Sequence, residues 1–92
     1  MNGKRRKTLS KAIGELEEAK AKIESAQATV ESCREEEEEC YDNLPEGVQD
    51  GEKGDAMQEN IDSMDNAISN MEDLADTIQE TIDYIQEAID RE

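Results

Sequence analysis

An apolar repeat of seven residues runs through two long blocks of this chain, and a single proline lies between them. In the first block Leu9, Leu16, Ile23, Val30 and Leu44 recur every seven residues, with Glu37 the one polar interruption. Ala12, Ala19, Ala26, Cys33 and Cys40 interleave with them. In the second block Ile61, Ile68, Ala75, Ile82 and Ile89 alternate with Met57, Met64, Met71, Ile78 and Ile85. This is the period of a helix that packs lengthwise on another helix; a strand, whose side chains alternate faces every two residues, has no use for it. The first seam is bulky on one side and small on the other, whereas the second is large at nearly every layer. Large is therefore expected to meet small across the pair, letting the helices approach closely.

The period also decides between order and disorder. The 92 residues carry a formal charge of -16, 39% are charged and 34% hydrophobic, and Phe and Trp are absent. High charge with low hydrophobicity ordinarily marks a disordered chain, but a disordered chain has no reason to keep its apolar residues in register. The same composition is too lean for a sizeable core, so something further is expected to cover the seam. Ile13, Tyr41, Leu74 and Tyr84 lie beside it and widen it, as a second hairpin packing there would require. The methionines of the second seam suit the role of flexible core fillers. The predicted fold is all-α: an antiparallel two-helix hairpin of coiled-coil type that dimerises into a four-helix bundle.

Pro45 cannot continue a helix, and Gly47, Gly51 and Gly54 relax the backbone after it. The boundaries predicted are a basic arm over 1–8, helix 1 over 9–43, a loop over 44–54 and helix 2 over 55–90, within one domain spanning 9–92. Asp55 with Gln58 three residues later has the form of a capping box, although a start one turn sooner, near Gly51, also fits. Each helix would be roughly 50 Å long, and matched lengths favour the antiparallel hairpin.

Charge is distributed unevenly. Lys4, Arg5, Arg6, Lys7 and Lys11 precede any acid, whereas residues 55–92 hold twelve acids and one base. The basic arm, Lys4 to Lys7, sits unfavourably at a helix start, and Asp83, Glu87, Asp90 and Glu92 sit unfavourably at a helix end. An antiparallel hairpin brings the two together, so the arm either neutralises its own chain or touches nucleic acid or an acidic patch. On helix 2, Asp55, Asp62, Asp76, Asp83 and Asp90 share one heptad position and Glu59, Asp73, Glu80 and Glu87 another, both opposite the seam. Helix 1 adds Glu17, Glu24, Glu31 and Glu38 and the run Glu35 to Glu39. Carboxylates on such a face recur about every 5 Å, against one phosphate per 3.4 Å along a DNA strand. The rows are either a solvated exterior or a surface presented to a protein that grips phosphate with Lys and Arg. Helix 2 mixes no base into the rows between residues 54 and 90, unlike an exterior supported by pairs of opposite charge. Glu31, Glu35, Glu38, Asp55, Glu59, Asp62, Asp73, Asp76, Glu80, Asp83, Glu87 and Asp90 are the candidate partner-binding residues, and the candidate partner is a basic nucleic-acid-binding protein. Direct nucleic-acid binding is expected only through the arm.

Catalysis, cofactors and metals are not indicated. There is no His, the hydroxyls lack a base of suitable pKa, and the carboxylates lie on an open face without a pocket to tune them. Asp50, Glu52 and Asp55 do not follow the spacing of a calcium loop. Cys33 and Cys40 are about 10 Å apart on a helix, too far for a disulfide with each other. They read either as reduced, buried thiols or as a cross-link between chains. The basic start is followed by no apolar run, so a cytoplasmic protein that avoids anionic membranes is expected.

The stretch Tyr41-Asp42-Asn43-Leu44-Pro45 through Gly51-Glu52-Lys53-Gly54, with the later Ile61-Asp62, Ile82-Asp83 and Ile89-Asp90 pairs, resembles short acidic helical-hairpin proteins of bacteriophages and mobile elements. The resemblance covers residues 35–92. It implies a phage-type inhibitor that mimics DNA to block a CRISPR or restriction nuclease, acting in the host cytoplasm. No functional residue is transferred by it. A structural or adaptor coiled coil is the alternative expectation.

Overall fold

A computed structural model describes residues 1–91. Two long helices, α1 (Gly3–Asp42) and α3 (Glu52–Asp90), are joined by the short helix α2 (Glu46–Gln49). They pack side by side into a rod whose Cα extents are 69 × 14 × 13 Å.

The first helix begins six residues before the predicted Leu9. The Asn2 side chain accepts the Arg5 backbone N–H at 2.8 Å, and the Asn2 carbonyl accepts that of Arg6 at 3.2 Å. An effective N-cap, followed by Lys and Arg of good helix propensity, extends the helix through the basic residues. Lys4 to Lys7 are thus the first turns of α1 and not a separate arm.

The connection is more ordered than a loop over 44–54. Pro45 precedes α2, and its carbonyl accepts from Val48 and Gln49 at 2.9 and 3.0 Å. The Gln49 side chain turns back to donate to the Tyr41 carbonyl at 2.9 Å, a second bond on an acceptor that already takes the Leu44 backbone N–H at 3.1 Å, and so ties the connection to the end of α1. Gly51 is the N-cap of α3, so Asp55 lies inside that helix and does not cap it. Gly54 is buried where α3 passes α2: a Cβ built on it would lie 2.7 Å from Gln49 Cα and nearer still to the Gln49 carbonyl. Only glycine permits that approach.

Among the described residues, four side-chain hydrogen bonds join the long helices: Asn60 Nδ2 donates to Glu37 Oε2 at 2.8 Å on one face, and three others recur at heptad intervals on the opposite face. Lys20 Nζ donates to Gln79 Oε1 at 3.0 Å, Gln27 Nε2 to Glu72 Oε1 at 3.4 Å, and Arg34 Nε to Asp65 Oδ1 at 2.8 Å. Seven residues forward on α1 match seven residues back on α3, which defines an antiparallel register. In it Leu16 is level with Ile82, Ile23 with Ala75, and Val30 with Ile68.

The α3 half of the seam follows its repeat. Met57, Ile61, Ala75 and Ile82 are buried, and Met64, Ile68, Met71, Ile78, Ile85 and Ile89 are half-buried. The α1 half departs from expectation. Leu9, Leu16, Ile23, Val30 and Leu44 face inward, but the second inward row is Arg6, Ile13, Lys20, Gln27, Arg34 and Tyr41. Ala19, Ala26, Cys33 and Cys40 are exposed, so the small row does not meet the large one and the cysteines are not buried.

The reason is geometric. Rows three and four residues after Leu9 flank the Leu9 row on opposite sides, and one partner helix can cover only one flank. Covering the second flank buries Ile13 and lets the stems of Lys20, Gln27 and Arg34 lie along the seam while their polar ends reach α3. The hairpin therefore has two unlike broad faces. One carries this polar ladder; the other presents Ala19, Ala26 and Cys33 of α1 beside Asn60, Ala67 and Leu74 of α3. A shallow groove lined by Cys33, Glu37, Asn60, Ser63 and Met64 runs along the second.

Candidate functional site

The rows of carboxylates on α3 stand clear of the rest of the protein because both heptad positions point away from α1. Asp55, Asp62, Asp76, Asp83 and Asp90 are exposed, as are Glu59, Asp73, Glu80 and Glu87. Asp83 and Asp90 accept hydrogen bonds from Gln79 and Gln86, each one turn earlier and each at 3.0 Å. These neutral donors hold the carboxylates in place without cancelling their charge.

The α1 candidates divide. Glu35 is exposed, whereas Glu31 and Glu38 are half-buried at the edge of the seam. Glu31 accepts from Gln27 at 3.0 Å, and Glu38 is paired with Arg34. Those two are engaged within the hairpin and are less available to a partner than the α3 rows.

Arg34 is the one base that forms ion pairs among the described residues, with Glu38 on its own helix and Asp65 across the seam. The hydrogen bond to Asp65 is the largest influence raising its pKa above the ordinary arginine value; partial desolvation opposes it, and the charges of Asp65 and Glu38 add to it. A raised pKa means that the contribution of the Arg34 charge is fully present below the titration of a free guanidinium and is lost as pH rises through the folded value. The pair is therefore constant across the neutral range.

Folding converts the uneven charge of the chain into an axial polarity. Residues 31–62, at the connected end of the rod, hold thirteen carboxylates against Arg34 and Lys53. The open end gathers Lys4, Arg5, Arg6, Lys7 and Lys11 beside Asp83, Glu87 and Asp90. Contact there is made through the backbone: Arg6 Nη2 donates to the Arg91 carbonyl at 3.4 Å, placing a cation at the negative end of α3. Lys4, Arg5 and Lys7 form no ion pair among the described residues.

The sequence left the roles of Lys20, Gln27 and Arg34 unread, together with their acceptors Gln79, Glu72 and Asp65. Their seven-residue spacing, in step with Ile13 and Tyr41, was the available signal. Among the described residues no three His, Cys, Asp or Glu side chains gather to hold a metal ion, and no helix is long and apolar enough to cross a membrane. No protein-family model matches the chain, and neither a curated protein nor a solved structure matches it.

Proposed function

We propose that this protein is a non-enzymatic inhibitor that occupies the nucleic-acid channel of a basic DNA-binding protein, such as a CRISPR or restriction nuclease, in the bacterial cytoplasm. The observation that supports this most is the exterior of α3, where exposed carboxylates run the length of a helix whose single base is Lys53. A 69 Å rod is as long as about 20 base pairs of duplex. Asp62, Asp76, Asp83, Glu80 and Glu87 stand in for phosphates, and pairing of two hairpins into a four-helix bundle broadens the charged surface. Arginine and lysine side chains that grip phosphate would find acceptors at comparable density.

The test is displacement of labelled duplex DNA from candidate nucleases, followed by fluorescence anisotropy. The protein is expected to release DNA at low salt and to lose that ability steeply as salt rises, since exposed charges are screened within about 8 Å at physiological ionic strength. Displacement that is indifferent to salt, or absent from every nuclease tried, counts against mimicry.

A second reading is a structural or adaptor coiled coil, and the exposure of Leu74 on the small-residue face favours it. A helical partner of that kind would bind independently of salt and be lost in Leu74→Asp.

A further inference from the structure

The hairpin leaves more surface uncovered than a protein of its size normally does. It exposes 6673 Å², whereas a compact monomer of 10.3 kDa exposes about 5,400 Å². The excess is larger than the roughly 800 Å² that each partner contributes to a stable interface. Its radius of gyration, 20.5 Å, likewise exceeds the roughly 12 Å of a compact chain of this length.

The face opposite the polar ladder is where covering would be most favourable. On α1 a single heptad row runs Arg5, Ala12, Ala19, Ala26, Cys33 and Cys40, and small side chains along a row permit close helix approach. On α3 the same face carries Leu74, 45% exposed, and Tyr84, 72% exposed, lies at its edge. The charge polarity of the rod then selects the occupant and its direction. A second copy related by an axis along the rod would place both acidic connected ends together. A second copy related by an axis across the rod sets each acidic end beside the basic start of the other α1, and this is the complementary choice.

We propose that two copies pair face to face and antiparallel, α1 on α1 and α3 on α3, through the Ala19, Ala26 and Leu74 face. The midpoint of α1 falls between Ala19 and Ala26, so full overlap sets Ala19 against the partner's Ala26 and Ala12 against the partner's Cys33. Arg5 comes level with the partner's Cys40, within reach of the glutamate run around it. Ile23 is level with Ala75, so Leu74 lies close to the two-fold axis and meets the partner's Leu74. The outer rows of α3 remain exposed. The arrangement rests on the dimeric part of the reading above and is independent of DNA mimicry.

Two measurements on the purified full chain test it without any DNA-binding protein present. Sedimentation equilibrium is expected to return twice the chain mass, and a monomer at all concentrations overturns the proposal. Cross-linking then tests direction, using Cys40→Ser and the double variant Cys40→Ser with Ala12→Cys, each checked for helix content by circular dichroism and oxidised with diamide. Cys33 alone is expected to give almost no covalent dimer, and adding the cysteine at position 12 to raise its yield at least about tenfold, because a disulfide needs Cα atoms within about 7 Å. A covalent dimer through Cys33 alone, or none in the double variant, overturns the antiparallel arrangement while leaving mimicry to its own test.

Discussion

Arg34 of α1 and Asp65 of α3 are joined across the seam by a 2.8 Å ion pair, with side chains 28% and 50% exposed. The pair fixes register as much as it stabilises. Arg34→Ala is expected to lower the melting temperature by a few degrees at low salt and by less at high salt, because a pair this exposed is screened. A salt-independent loss would assign the role of Arg34 to its packed stem.

Gln27 occupies a seam position that an ordinary heptad gives to leucine. Its amide bridges Glu31 and Glu72, both accessible to water once released. Gln27→Leu is expected to stabilise the hairpin by roughly 1 kcal/mol through added apolar burial beside Met71. Denaturant titration measures this, and a destabilised variant would show that the polar ladder contributes more than its replacement.

Gly54 and Gly47 make a matched pair at the connection. A side chain on Gly54 runs into Gln49, whereas one on Gly47 meets nothing within 4 Å. Gly54→Ala is expected to cost about 1–3 kcal/mol, the range for forced overpacking, and Gly47→Ala to be neutral or slightly stabilising because it lies in α2. Equal effects in thermal melts would contradict the close passage of α3 past α2.

The net charge of -16 opposes the compact state by self-repulsion. Added salt is therefore expected to raise the melting temperature of the wild-type protein, even though it weakens the Arg34 pair. A melting temperature that falls with salt would mean that attractive pairs outweigh repulsion.

These expectations separate what the sequence makes legible from what it does not. The α3 seam is readable because two adjacent heptad rows, Ile61 to Ile89 and Met57 to Ile85, are apolar throughout, leaving one orientation that buries both. The break at Pro45 is readable because proline cannot continue a helix. The α1 seam is ambiguous: the Leu9 row is flanked by a small apolar row and by a mixed row containing Ile13 and Tyr41. The choice depends on cross-helix partners such as Asp65, invisible within α1 alone. The start of α1 at Gly3 is not legible from the apolar repeat, which begins only at Leu9, because it is set by the Asn2 cap, and α2 is too short for periodicity to reveal. The exposed acidic rows follow directly from the α3 seam, since they are its opposite face; the engagement of Glu31 and Glu38 follows from the inward position of Gln27 and Arg34, which the α1 sequence leaves ambiguous.

The most direct test of the central claim is affinity capture from a bacterial lysate at physiological salt, with parallel elution by duplex DNA and by high salt. The comparison protein carries Asp62→Asn, Asp76→Asn and Asp83→Asn. The account predicts that wild-type protein retains a basic DNA-binding protein released by duplex DNA, and that the comparison protein retains at least about tenfold less, the loss of roughly 1.4 kcal/mol of binding. Retention of only further copies of the chain, or of a helical partner that neither DNA nor the Asn substitutions displace, would contradict it.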